Sequence, residues 1–184
     1  INLAHTDAQV DAHQRRGNAM ILNGADGVWL NKHEVKARAP LLDISDRARF
    51  PIKGGLLQPR AGTARHDAVA WGFARGADAR GVDIIQNCEV TGIDIENGGV
   101  VGVQTSRGAI KAKKIGTAVA GHTGHIAAMA EMRLPIESHV LQAMVSEPVK
   151  PCLDTVITSG ATHTYISQSD KGELVMGGDL DLYN

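Results

Sequence analysis

The 184 residues predict a mixed α/β fold, and three patterns carry that expectation. Val69, Ala70, Phe73, Ala74 and Ala77 recur at the spacing of one helical face, and the β-branched run Val82 to Ile85 follows directly as a buried strand. Asn97-Gly98-Gly99 is a hairpin turn between the alternating runs Val90 to Glu96 and Val100 to Thr105. Further strand-length runs, broken by turn residues, fill positions 140 to 176.

The helix is read from Ala64 to Arg80, with Thr63 as its cap and Gly81 just past its end. Counted from Thr63, His66 is the third helical residue. There, unpaired backbone N–H groups and the positive end of the helix dipole disfavour a cation, and Asp67 either orients the ring or answers the dipole. A neutral ring nitrogen is a nucleophile or a ligand, although spacing alone is equally served by an ordinary surface histidine in a first turn.

Ahead of this unit, Thr6 to Asn18 is helix-like, Asn23-Gly24 and Asp26-Gly27 are turns, and Val28 to Leu30 is a short strand. Asn31 caps a helix from Lys32 to Arg38 that Pro40 stops. Leu41 to Arg49 is irregular, and Gly54-Gly55 leads into the apolar pair Leu56-Leu57. Beyond the hairpin, Ser106-Arg107-Gly108 turns the chain into a third strand, Ala109 to Lys113, and Lys114 to Gly121 reads as an apolar strand ending in glycine. Gly124 to Met132 is a short helix with one buried side, Val140 to Ser146 a buried strand. Thr155 to Thr158, His163 to Ser167 and Glu173 to Met176 are strands joined by tight turns, with Asp170-Lys171-Gly172 a turn and Gly177-Gly178 ending the last strand.

Composition limits the function classes. A net charge of −1 and a pI near 6.8 give no electrostatic reason to expect nucleic acid or an anionic membrane as partner. Cys88 and Cys152 form no CxxC pair and are expected as buried free thiols. With only 3% aromatic residues, the core must be built from Val, Ile, Leu and Ala. No apolar run of membrane-spanning length and no signal-peptide pattern is present, so a soluble cytoplasmic protein is the expectation. His122 and His125 are three apart, but no further ligand of suitable spacing accompanies them, and no metal site is expected.

The stretch Gly62-Thr-Ala-Arg-His-Asp-Ala-Val-Ala-Trp-Gly-Phe-Ala-Arg75, with Leu134-Pro-Ile-Glu-Ser-His139 and Tyr165-Ile-Ser-Gln-Ser-Asp-Lys-Gly172, resembles the β subunits of heterotetrameric sarcosine oxidases. These are a branch of the D-amino-acid-oxidase-like flavoprotein family, and the resemblance extends over nearly the whole chain. It implies an FAD-dependent amine-oxidase-like fold, with residues 51–124 in an FAD-binding domain and 1–50 and 125–184 in a β-sheet substrate domain. It also implies covalent FMN on His66, contacts of Val90 and of Ala120-Gly121 with noncovalent FAD, and His163 near the bound amine, with Tyr165 on the same face by alternation. Without the resemblance, Gly121 is an ordinary turn glycine and His163 and Tyr165 are equally well cross-strand polar residues.

By the same resemblance the reaction is oxidation of sarcosine to glycine and a one-carbon unit, with oxygen reduced to hydrogen peroxide. The implied partners are a larger α subunit carrying tetrahydrofolate and smaller subunits. A single-flavin oxidase or dehydrogenase of glycine or another N-methyl amino acid, and a non-catalytic scaffold, are the alternatives. The Gly-x-Gly-x-x-Gly turn that grips the FAD pyrophosphate is missing from the 184 residues. The chain is therefore expected to be the middle of a longer protein and, purified alone, to be colourless and inactive.

Overall fold

The computed structural model describes residues 1–181, and of Asp179 to Asp181 only the backbone. They form a mixed α/β structure of two compact units, residues 1–64 with 140–184 and residues 65–139.

The first unit is built on a sheet. Its strands are β1 (Asn2–Ala4), β2 (Val28–Asn31), β3 (Gly54–Leu57), β7 (Val140–Pro148), β8 (Ile157–Ser159), β9 (Thr164–Gln168) and β10 (Glu173–Asp181), in the order β2-β3-β1-β8-β9-β10-β7. β1 and β8 run parallel, and the other pairs are antiparallel. Because β3 pairs with both β2 and β1, residues 54–57 belong to this sheet. The chain therefore leaves the unit after Ala64, not at the expected border before Pro51.

Two helices cover this sheet. α1 (Asp7–Leu22) starts where the Thr6 hydroxyl accepts from the Gln9 amide at 3.2 Å. α2 (Lys32–Arg38) has the borders that Asn31 and Pro40 predict, and its first turn carries a reciprocal capping box: the Asn31 side chain accepts from the His33 and Glu34 amides while the Glu34 carboxylate accepts from the Asn31 amide at 2.7 Å. A side chain at Gly17 would meet Leu56 at 3.1 Å, and one at Gly55 would meet Val35 at 3.3 Å. Gly55 and Leu56 are consecutive in β3, so α1 and α2 lie on opposite faces of the sheet.

The core consists of Leu3, Leu30, Val35, Ala39, Ile52, Leu57, Leu153 and Ile157, with Ile1, Leu42, Ile44 and Ile166 packed against it. It is aliphatic, as the composition requires. β9 begins at Thr164, one residue later than read. β10 continues through Gly177-Gly178 instead of ending there, because β7 and β9 pair with it on both sides, with a register shift between Gly178 and Leu180. β7 is an edge strand whose Val140, Leu141, Met144 and Val145 are exposed, where a buried strand was expected.

The second unit holds α3 (His66–Asp78), the meander β4 (Val90–Glu96), β5 (Gly99–Thr105) and β6 (Gly108–Lys111), and α4 (Thr123–Met129). Asn97 and Gly98 have φ of 49° and 77°, the two positive values of a type I′ turn, which is why this dipeptide closes the hairpin. Two expected strands are not formed. Val82 to Ile85 and Lys114 to Val119 are irregular, since a strand exists only through a hydrogen-bonded neighbour and none of the described residues pairs with either run. Val82, Ile84 and Ile85 accordingly stay about half exposed. α4 has no buried residue, against the expected buried side. Cys88 and Cys152 are free thiols, half-buried and not fully enclosed.

Candidate functional site

In the second unit, α3 places His66 as its first residue. The cap is Arg65, in extended conformation and with no side chain capping the helix, so the expected Thr63 cap is not made and His66 moves from the third to the first helical position. The helix begins late because the first helical bond is donated by Val69 to the Arg65 carbonyl. His66 still lies among the unpaired N–H groups of a helix start. Its ring is exposed and hydrogen-bonds to none of the described residues. The carboxyl of Asp67 is held below the usual carboxylate range by the Ala68 amide foremost and by the charges of Arg65 and His66.

Val90 opens β4, half-buried and paired with Thr105. Ala120 has φ of 45° and starts a single 3-10 turn with Gly121 and His122. Two hydroxyls pin that turn: Thr123 Oγ1 donates to the Ala120 carbonyl at 2.6 Å and Ser138 Oγ to the Gly121 carbonyl at 2.5 Å. α4, which follows the turn, lies against β4, while the Ala120-Gly121 turn itself makes no contact with that strand. No hydrogen bond among the described residues joins His66 to either.

His163 belongs to the first unit. It has φ of 49° and sits in the turn before β9, exposed, so strand alternation does not relate it to Tyr165. Tyr165 is inside β9, opposite Gly177, and its ring lies across that glycine, with Cζ only 2.5 Å from where a side chain would begin. Gly177 is thus the residue that admits the ring.

A cavity of about 520 Å³ opens on this sheet, lined by Gln142, Met144, Ser159, Thr164, Tyr165 and Met176 among others. Ser159 is the buried polar residue among those described, and its hydroxyl meets His5 Nε2 at 2.9 Å. His5 Nδ1 lies 2.9 Å from the Phe50 carbonyl, which can only accept. Nδ1 therefore carries the proton in the neutral ring, and Nε2 accepts from Ser159. Sequence reading passed over this pair, which lies 154 positions apart and has no local motif.

Among the described residues there is no group of three or more His, Cys, Asp and Glu arranged to hold a metal ion, and no helix long and apolar enough to cross a membrane. The ring of His66 stands exposed at the start of α3.

Comparison with known proteins extends this picture. The chain is 64% identical over all 184 residues to the sarcosine oxidase subunit beta of Rhizobium meliloti (strain 1021), covering 44% of that protein. It is 50% identical over 184 residues to the sarcosine oxidase subunit beta of an Arthrobacter species, covering 45% of it. The chain thus spans less than half the length of the curated relatives it matches. Among solved structures, L-proline dehydrogenase from P. horikoshii superposes with a TM-score of 0.84 at 28% identity, over 96% of this chain and 47% of that one. Glycine oxidase from Bacillus cereus ATCC 14579 gives a TM-score of 0.74 at 21% identity, over 100% of this chain and 49% of that one, a likeness of fold alone. The family model of the FAD dependent oxidoreductases matches residues 1–184, and the chain belongs to that family.

Proposed function

We propose that the chain is part of the β subunit of a sarcosine oxidase, a flavin-dependent enzyme that oxidises an N-methyl amine. The observation that carries this reading is the 64% identity to a sarcosine oxidase subunit beta over every one of the 184 residues. FAD follows from the family. Covalent FMN on His66 is the finer part of the proposal, supported by the exposed ring at the first position of α3.

In this reading residues 65–139 take the flavin-binding role. Val90 would meet the adenine portion of FAD through its backbone, and the Ala120-Gly121 turn, braced by Thr123 and Ser138, would lie near the flavin. The β-sheet unit takes the substrate role, with His163 beside the amine. Bound FAD would supply acceptance of a hydride equivalent from sarcosine, and FMN the delivery of electrons to oxygen, giving hydrogen peroxide and leaving glycine and a one-carbon unit. His66 would hold the FMN through a ring nitrogen, and residues of the sheet would orient the amine. The larger α subunit with tetrahydrofolate, the smaller subunits of a heterotetramer and a cytoplasmic location belong to the same proposal, as does the colourless, inactive state of residues 1–184 alone.

The test is His66→Asn in the complete assembly. After acid precipitation the pellet should lose its flavin fluorescence while FAD is still released to the supernatant. Covalent flavin persisting in the pellet would overturn the attachment site. A wild-type enzyme with no covalent flavin would instead favour a single-flavin amine dehydrogenase, the reading that the likeness to L-proline dehydrogenase supports.

A further inference from the structure

We propose that Asn97 is a site of spontaneous backbone modification, converted to aspartate and isoaspartate through a cyclic imide, while the chain's other Asn-Gly pair, Asn23-Gly24, is protected by its fold. This goes beyond the flavin reading and does not depend on it.

The two pairs share the local chemistry. In each, glycine follows asparagine, so no side chain shields the main-chain nitrogen that must attack the amide. Their surroundings differ. Asn23 caps the C-terminus of α1, where its backbone N–H donates to the Ala19 and Met20 carbonyls at 3.1 and 3.0 Å, and its side-chain nitrogen donates to the Ala19 carbonyl at 2.7 Å. The attacking group is engaged as well, since the Gly24 N–H donates to the Ile21 carbonyl at 3.0 Å. Both ends of the would-be imide are therefore tied to the last turn of a helix.

Asn97 and Gly98 form the tip of the β4–β5 hairpin, exposed on both sides from Ile95 to Gly99. Neither the Asn97 side chain nor the Gly98 N–H is hydrogen-bonded among the described residues, and a side chain built on Gly98 would meet nothing within 4 Å. Ring closure needs rotation about the Asn97 backbone out of its αL geometry, a motion confined to the turn.

The step balances without any oxidant. The Gly98 nitrogen gives up its proton and attacks Cγ of Asn97. As the N–Cγ bond forms, the Cγ–Nδ2 bond breaks and the side-chain nitrogen leaves as ammonia. Water then opens the imide at either carbonyl. Opening at one leaves an ordinary aspartate ahead of Gly98, and an Asp-Gly pair suits the same type I′ turn. Opening at the other gives isoaspartate, whose extra main-chain methylene is incompatible with the Glu96–Gly99 register. Either product adds a negative charge next to Glu96.

The experiment ages the complete protein at mildly alkaline pH, digests samples over time, and follows both Asn-Gly peptides by mass spectrometry with fragmentation that separates aspartate from isoaspartate. Asn97 should convert on the order of tenfold faster than Asn23 or more, since Asn23 must first break several hydrogen bonds. Asn97→Gly, which keeps a turn-competent Gly-Gly pair, should remove the signal and leave the Asn23 peptide unchanged. Equal rates at the two sites, faster conversion at Asn23, or an intact Asn97 after a free peptide spanning the hairpin has converted would each overturn the proposal.

Discussion

In the unit formed by residues 1–64 and 140–184, Leu3, Val35 and Ile157 are 5%, 0% and 4% exposed, whereas in residues 65–139 Val69, Trp71 and Phe73 of α3 stand at 48%, 54% and 78%. Both units contain well-formed helices and strands. The helix and the three-stranded meander of the second unit are closed by local hydrogen bonds and turns, whereas the core of the first unit joins segments from distant parts of the chain. Leu3, Val35, Leu57 and Ile157 meet because β1, β3 and β8 bring three separate stretches into one sheet. In the other unit no hydrophobic side chain among the described residues is buried.

The sharpest way to break this comparison is a pair of truncations. Leu3→Ala should destabilise the chain by about 2–5 kcal/mol, lost burial plus cavity, read as a lower urea midpoint. Phe73→Ala should change it by less than about 0.5 kcal/mol. Similar losses from both would show that α3 is packed in solution, contrary to its exposure.

A smaller contrast separates two helix starts. Asn31→Ala removes one side of the capping box on α2 and should cost about 1 kcal/mol. Thr63→Ala, at the residue that sequence alone names as the α3 cap, should cost nothing measurable, because the cap is Arg65. Thermal unfolding of the two variants checks both values.

The smallest expected effect is shared by the units. Asp43 is held below the usual carboxylate range chiefly by the Ser45 amide, at 2.8 Å, and Asp67 by the Ala68 amide. A carboxylate whose pKa is depressed on folding stabilises the fold above its unfolded pKa, and that contribution disappears as pH falls through the folded value. The difference in stability between wild type and Asp43→Asn, or Asp67→Asn, should therefore be present at neutral pH and vanish in acid, with the same sign in both units. A difference that grows on acidification would contradict the assignment of the amide bonds.

The sequence by itself determined the elements whose cause lies within a few residues. Asn31 with Glu34 sets the start of α2, Pro40 follows its end, Asn97-Gly98 sets the hairpin, and the family likeness runs over residues 1–184. Tertiary structure decided what depends on partners far along the chain. Val82 to Ile85 has the composition of a strand and no pairing neighbour among the described residues, so it remains irregular. The same reason leaves β7 exposed at the sheet edge despite its apolar sequence. His5 and Ser159 meet only because β1 and β8 run side by side, a pairing that no local pattern encodes. Helix caps and tight turns are short-range hydrogen-bonding problems that a few residues solve alone, whereas strand pairing and burial are settled by which distant segments arrive beside them.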